Sequence, residues 1–193
     1  MPPRAARTPL TLAVLSLLAE CPRHPYEMQA LIRQRHVGDV VRLRGGSLYD
    51  AIARLDGIGL IEAVGSDRNG ARPERTVYAI TAAGRVQLTE QLREYLAEQA
   101  EEFPVFPAGL AHAPHLSAAE VVALLRRRAA ALTTRIADVD ADLGVATAAA
   151  VPRAVLLEAE YAQAVRRAEL AWLDGIVTEL ESGVLAWPEL EEE

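Results

Sequence analysis

All twenty basic side chains of this 193-residue chain are arginines; there is no lysine. Five of them flank one stretch. Arg42 and Arg44 precede a Leu48/Ile52/Leu55 repeat, and Arg68, Arg72 and Arg75 follow it. A guanidinium group is planar, permanently charged and forked, so it meets phosphate oxygens two at a time. Any one of these arginines reads equally well as solvated surface charge. Set on both flanks of one amphipathic segment, they point to a polyanionic, phosphate-bearing partner.

The elements that must position them read as helix, strand, turn and strand. Leu48, Ile52 and Leu55 recur at spacings of four and three, the pattern of one buried helix face, while Tyr49, Asp50, Ala53 and Arg54 fall on the other. Ser47 is expected to cap this helix, with Asp50 in its first turn, and Gly59 suits its left-handed end. Residues 60–64 and 76–80 are β-branched or aromatic-rich runs, separated by a turn-rich loop with Asn69-Gly70 near its middle. The pattern predicts a recognition helix at 47–58 and a two-stranded wing.

Three motifs in this region carry a resemblance. The segment GSLYDAIARLDGIGLI (residues 46–61) resembles the recognition-helix signature of PadR-family transcriptional regulators. HPYEM (24–28) is similar to that family's second-helix motif, with Pro25 where a glycine usually precedes the tyrosine. RPERTVYAIT (72–81), followed by Gly84-Arg85, resembles its wing and next helix. The resemblance covers about the first half of the chain. It implies a winged helix-turn-helix, DNA binding through the recognition-helix tyrosine, C-terminal helices that build a dimer, and a small apolar ligand.

Charge divides the chain in the same place. Residues 1–88 hold twelve arginines against eight acids, net +4, and residues 89–193 hold eight against nineteen, net −11. Such asymmetry points to one nucleic-acid-facing part. Cys21 is the only cysteine, so no intramolecular disulfide framework exists, which fits a reducing cytoplasm.

In chain order, the N-terminus mimics a signal peptide, but Glu20 beside the would-be cleavage point and a short apolar run argue against export. A first helix is predicted instead, capped by Thr8 with Pro9 at its first position and Leu10, Val14, Leu17 and Leu18 inward. A second helix starts at His24-Pro25 with Met28, Leu31 and Ile32 inward. After the wing, Thr81 caps a helix expected to run to about residue 102, with Leu88, Leu92, Tyr95 and Leu96 as its apolar stripe. Prolines 104, 107 and 114 make residues 103–116 a linker.

The second half restarts with a capping box, Ser117 to Glu120. Val122, Leu125, Ala129, Leu132, Ile136, Val139 and Leu143 hold a heptad-like seam, and the alanine-rich residues 144–152 are expected to turn. A last helix follows, ended by Gly183, with one seam through Leu157, Tyr161, Ala164, Ala168 and Trp172, and a second through Leu170, Leu173, Val177, Leu180 and Val184. Two long helices in a hairpin with apolar stripes on more than one side want a second copy for cover.

The expected architecture is therefore mostly α: a DNA-binding domain at 1–102, the linker at 103–116, and a dimerisation or effector domain at 117–193. The expected DNA contacts are Tyr26, Arg42, Arg44, Ser47, Tyr49, Asp50, Arg54, Arg68, Arg72 and Arg75. Leu125, Leu132, Ile136, Val139, Tyr161, Trp172, Leu173, Val177 and Leu180 are expected at the dimer contact. Phe103, Phe106 and Trp172 have two readings, filling a core or lining a pocket for a flat apolar effector.

His112 and His115 are too few for a metal site and lie in the linker. His24 and His36 suit helix ends. No nucleophile elbow, phosphate-binding glycine loop or carboxylate pair appears. No enzyme activity, metal or cofactor is expected, and no membrane partner. The expected function is a cytoplasmic, homodimeric repressor on a pseudo-palindromic double-stranded operator. The alternatives are a helical interaction adaptor, which predicts no salt-dependent DNA affinity, and a small enzyme, which needs a polar cleft.

Overall fold

A computed structural model of the chain describes residues 7–35, 46–67, 75–99 and 104–188. The fold divides into two compact units, residues 1–101 and 102–193.

The first unit begins with α1 (Pro9–Glu20), whose Thr8 cap forms a reciprocal box with Thr11 and whose first residue is proline. Helix α2 (Pro25–Gln34) is capped by the His24 ring, which accepts the Tyr26 N–H at 3.0 Å, while Glu27 reaches back to the His24 N–H. Both starts are the expected ones, because each depends on residues no more than three positions apart. Helix α3 (Ser47–Gly57) differs by one residue. Gly46 is its N-cap, since the Gly46 backbone at φ −66°, ψ 1° is already turned and its carbonyl takes the Asp50 N–H at 3.0 Å. Ser47 is thus the first helical residue and not the cap. The helix ends as expected at Gly59, whose φ of +71° closes a Schellman pair: Leu60 N–H to Leu55 O and Gly59 N–H to Asp56 O, both 2.9 Å.

Strands β1 (Ile61–Asp67) and β2 (Arg75–Ile80) pair antiparallel, from Ile61 opposite Ile80 to Asp67 opposite Arg75. A bulge at Val64 shifts the register between Ala63 and Gly65. Arg23 adds a one-residue bridge to β2, exchanging backbone hydrogen bonds of 3.0 Å with Tyr78. Leu15, Leu18, Met28, Ile32, Leu48, Leu55 and Ile61 are all at most 2% exposed. Burying each such side chain contributes about 1.5–3 kcal/mol.

Helix α4 (Ala82–Ala97) is capped by Thr81, as expected, but shows the core a different face. Gly84, Gln87 and Gln91 are buried, whereas Leu92, Tyr95 and Leu96 stand exposed; of the expected stripe only Leu88 packs on the core. Close approach sets this orientation. A Cβ on Gly84 would lie 2.0 Å from the Leu60 carbonyl oxygen and 2.7 Å from Ile80, so only glycine fits against the wing base. Gln91 then donates to the Thr8 carbonyl at 3.2 Å and to the Tyr95 hydroxyl at 3.1 Å, and Tyr95 donates to the Arg7 carbonyl at 2.9 Å. Arg7 also pairs with Glu94.

In the second unit, part of the expected linker is ordered structure: α5 (Val105–Ala111) and a 3₁₀ turn (Ala113–His115). Pro104 is the N-cap of α5 and Pro107 lies in its first turn, where no intrahelical N–H is needed. Phe106, Leu110 and Ala113 pack on the core of this unit. Helix α6 (Ala118–Ala148) opens with the Ser117–Glu120 box and runs through Gly144, because the alanines after it favour helix. The turn is shorter than expected, with Ala150 in the left-handed region at φ +56°. Helix α7 (Arg153–Ser182) ends at the left-handed Gly183, as expected.

Helices α6 and α7 form the hairpin around Val121, Leu125, Leu173 and Val177. A polar tie sits further along. Gln163, 1% exposed, donates to the Ile136 carbonyl at 2.9 Å and to Asp140 at 2.7 Å, and accepts from Arg166 at 3.1 Å. Arg167 holds both Asp140 oxygens at 2.6 and 2.7 Å. The hydrogen bond from Gln163, with Arg167 beside it, keeps the Asp140 carboxyl below its ordinary range. No helix among the described residues is long and apolar enough to cross a membrane.

Candidate nucleic-acid interface and apolar cavity

Helix α3 turns Leu48, Ala51, Ile52 and Leu55 into the core, which fixes the opposite face outward. On that face Tyr49 is 53% exposed, with Asp50, Ala53 and Arg54 also exposed. The Arg54 Nε donates to the Asp50 carbonyl at 3.2 Å, which lays its guanidinium along the helix. Ser47 is partly buried at the helix start. Tyr26 projects from α2 with 65% of its surface open. Two exposed tyrosines and the N-terminus of α3 thus lie on the first unit, each of a kind suited to phosphate contact.

The expected contacts Arg42, Arg44, Arg68 and Arg72 lie outside the described residues, and of Arg75 only the backbone is described, at the start of β2. Sequence reading missed what braces the surface. Glu20 at the end of α1 pairs with Arg35 beyond α2 and with Arg23 at 2.6 Å, and the Arg23 Nε donates to the Leu17 carbonyl at 3.2 Å. The hydrogen bond from Arg35, helped by Arg23, holds the Glu20 carboxyl below its ordinary range. These ties join residues up to 55 positions apart through Tyr78, and no local pattern announces them.

The second unit separates the residues expected to pack together. Leu125, Leu173 and Val177 are buried inside the hairpin of the single chain, because the α6 seam meets the second α7 seam there. Leu132, Ile136, Val139 and Leu180 are partly buried. The first α7 seam turns away: Leu157 is 53%, Tyr161 72% and Trp172 45% exposed.

Phe106 and Trp172 do come together, edge to face, with ring centres 6.2 Å apart. The Arg128 guanidinium lies 3.8 Å over the Phe106 ring and its Nε pairs with Glu169 at 2.5 Å. Phe106 also walls a cavity of about 620 Å³ between α5, the 3₁₀ turn and α6, with Trp172 behind the ring and not on the lining. Phe103 lies outside the described residues. His112 borders the cavity, and no cluster of three metal-ligating side chains occurs among the described residues.

Residues 14–90 match the model of the transcriptional regulator PadR-like family. No curated protein matches the chain. Among solved structures, Bacillus subtilis PadR in complex with operator DNA has 17% identity and a TM-score of 0.72, covering 93% of this chain and 99% of its own. The same protein in complex with p-coumaric acid has 16% identity and a TM-score of 0.71, with 90% and 99% covered. The Vibrio cholerae virulence activator AphA has 20% identity and a TM-score of 0.69, with 90% and 98% covered. The likeness thus spans both units and extends the winged-helix assignment to a shared fold.

Proposed function

We propose that this chain is a cytoplasmic, homodimeric, sequence-specific DNA-binding regulator, a repressor released by a small apolar effector. The observation that carries the reading is the outward face of α3, with Tyr49, Asp50 and Arg54 exposed beside the wing in a segment that matches the PadR-like family. Each protomer sets α3 in a major groove, and the wing arginines Arg68, Arg72 and Arg75 meet the adjacent backbone or minor groove, with Arg42, Arg44, Ser47 and Tyr26 on flanking phosphates. Two-fold symmetry then requires half-sites about one helical turn (~34 Å) or a multiple apart. The fold-mates' operator DNA and p-coumaric acid support this division into DNA and ligand functions. An effector releases DNA only by binding one spacing of the two recognition helices better than the other.

The test is fluorescence-anisotropy binding to DNA from upstream of the protein's own gene, against scrambled DNA of equal length, over a salt series. Preferential binding that weakens log-linearly with salt is expected, and Arg72→Ala should flatten the slope by about one unit. Salt-independent or absent binding to both DNAs would sink the regulator reading in favour of an interaction adaptor.

A further inference from the structure

The cavity between α5 and α6 has features that name its occupant. Its volume, about 620 Å³, lies in the range of small-molecule sites. Its apolar wall includes Val105, Phe106, Leu110, Val121, Leu124 and Leu125, and among the described residues no acidic side chain lines it. Among the described residues, the only permanent charges on the lining are Arg127 and Arg128. The two arginines are not equivalent. Arg128 is neutralised by Glu169 and stacked on Phe106, whereas Arg127 has no ion pair among the described residues.

The aromatic surface is largely committed as well. One face of Phe106 carries the Arg128 guanidinium and the ring meets Trp172 edge to face, so most of the remaining wall is aliphatic. Aliphatic walls, one uncommitted guanidinium and no carboxylate select a hydrocarbon body with a single anionic end. We propose that this cavity binds a medium-chain aliphatic carboxylic acid, its carboxylate on Arg127 and its chain along Leu110, Leu124 and Leu125. Its role as effector rests on the regulator reading above; the binding site itself does not.

Isothermal titration calorimetry of the full-length protein with decanoate and with decanamide tests the site. The acid should bind more tightly than the amide. Arg127→Gln should weaken the acid about tenfold, the size of a charged hydrogen bond, and leave the amide unchanged. Leu124→Gln should weaken both, with thermal melts confirming that each variant folds. Equal affinity for acid and amide, equal losses in Arg127→Gln, or no binding of either would overturn the proposal. So would a dimer weakened by Leu124→Gln with neither compound bound, which would give the groove to the second copy. DNA anisotropy separates the two readings. Arg127-dependent decanoate binding that leaves DNA affinity unchanged keeps the site and removes the effector role, whereas failure to bind DNA removes the regulator and not the site.

Discussion

The two units solve the burial problem differently. Residues 1–101 surround Leu15, Leu18, Met28 and Leu55 with three helices, a wing and α4, so the interior is closed by one chain. Residues 102–193 offer chiefly a helical hairpin, which encloses Leu125 and Leu173 but leaves Leu157, Tyr161, Val165 and Trp172 open along α7. A helix can bury one stripe against one partner; a second stripe needs a second partner. In the proposed dimer the first unit is self-sufficient and the second is finished by its copy.

The sharpest way to break this contrast is Tyr161→Glu, which puts a charge into the open stripe at a position 72% exposed in the single chain. The dimer dissociation constant should rise on the order of a hundredfold (~2.7 kcal/mol), with helicity unchanged. Sedimentation velocity reads the first and circular dichroism the second. An undisturbed dimer would mean that this stripe is not the contact.

A smaller effect comes from two matched helix ends. Gly59 closes α3 and Ala150 closes α6 in the same left-handed position, with Val151 N–H to Ala146 O and Ala150 N–H to Thr147 O both at 3.0 Å. Glycine adopts that conformation freely; alanine does so under strain. Ala150→Gly should therefore stabilise the second unit by about 0.5–1 kcal/mol, against the extra freedom it gives the unfolded chain. A lower melting temperature would show that the turn is not strained.

The smallest effect tests a polar tie of the first unit. Glu20 is held below its ordinary value of 4.5, chiefly by the Arg35 hydrogen bond. A depressed folded-state pKa stabilises fully above the unfolded value, and the gain is lost as pH falls through the folded one. Glu20→Gln should cost at most ~1 kcal/mol at neutral pH, since the pair is solvent-facing, and the gap should close as pH drops below 4.5. Urea unfolding at several pH values measures it; a gap that stays constant with pH would separate the loss from Glu20 ionisation.

What could be read from the sequence followed the range of the interaction. The caps at Thr8, His24, Thr81 and Ser117 and the left-handed Gly59 and Gly183 were legible because each is decided within a turn or two of chain. The inward face of α4 was not. Hydrophobicity pointed to Leu92 and Leu96, but the approach of Gly84 to Leu60 and the bonds of Gln91 to Thr8 decide it, and both involve distant partners. Helix α5 was hidden by prolines that are harmless in a first turn. On α7, composition showed two apolar seams without saying which one α6 takes. The tyrosine, aspartate and arginine outside α3 were legible from periodicity; the Arg127 cavity was not, because its wall is folded back from residues that read as linker.

One carbonyl in the first unit has a mechanical meaning. The oxygen of Leu60, the residue after the α3 cap, accepts the Thr81 N–H and hydroxyl, both at 3.1 Å, while Gly84 is pressed against it. Thr81 also grips the Gly59 carbonyl at 2.8 Å and caps α4 through the Gly84 N–H. The end of α3 and the start of α4 are thus keyed to each other like two arms on one spindle, with no slack residue between them. In the proposed regulator, a torque applied along α4 therefore reaches the end of α3 through these bonds, without a hinge at the junction.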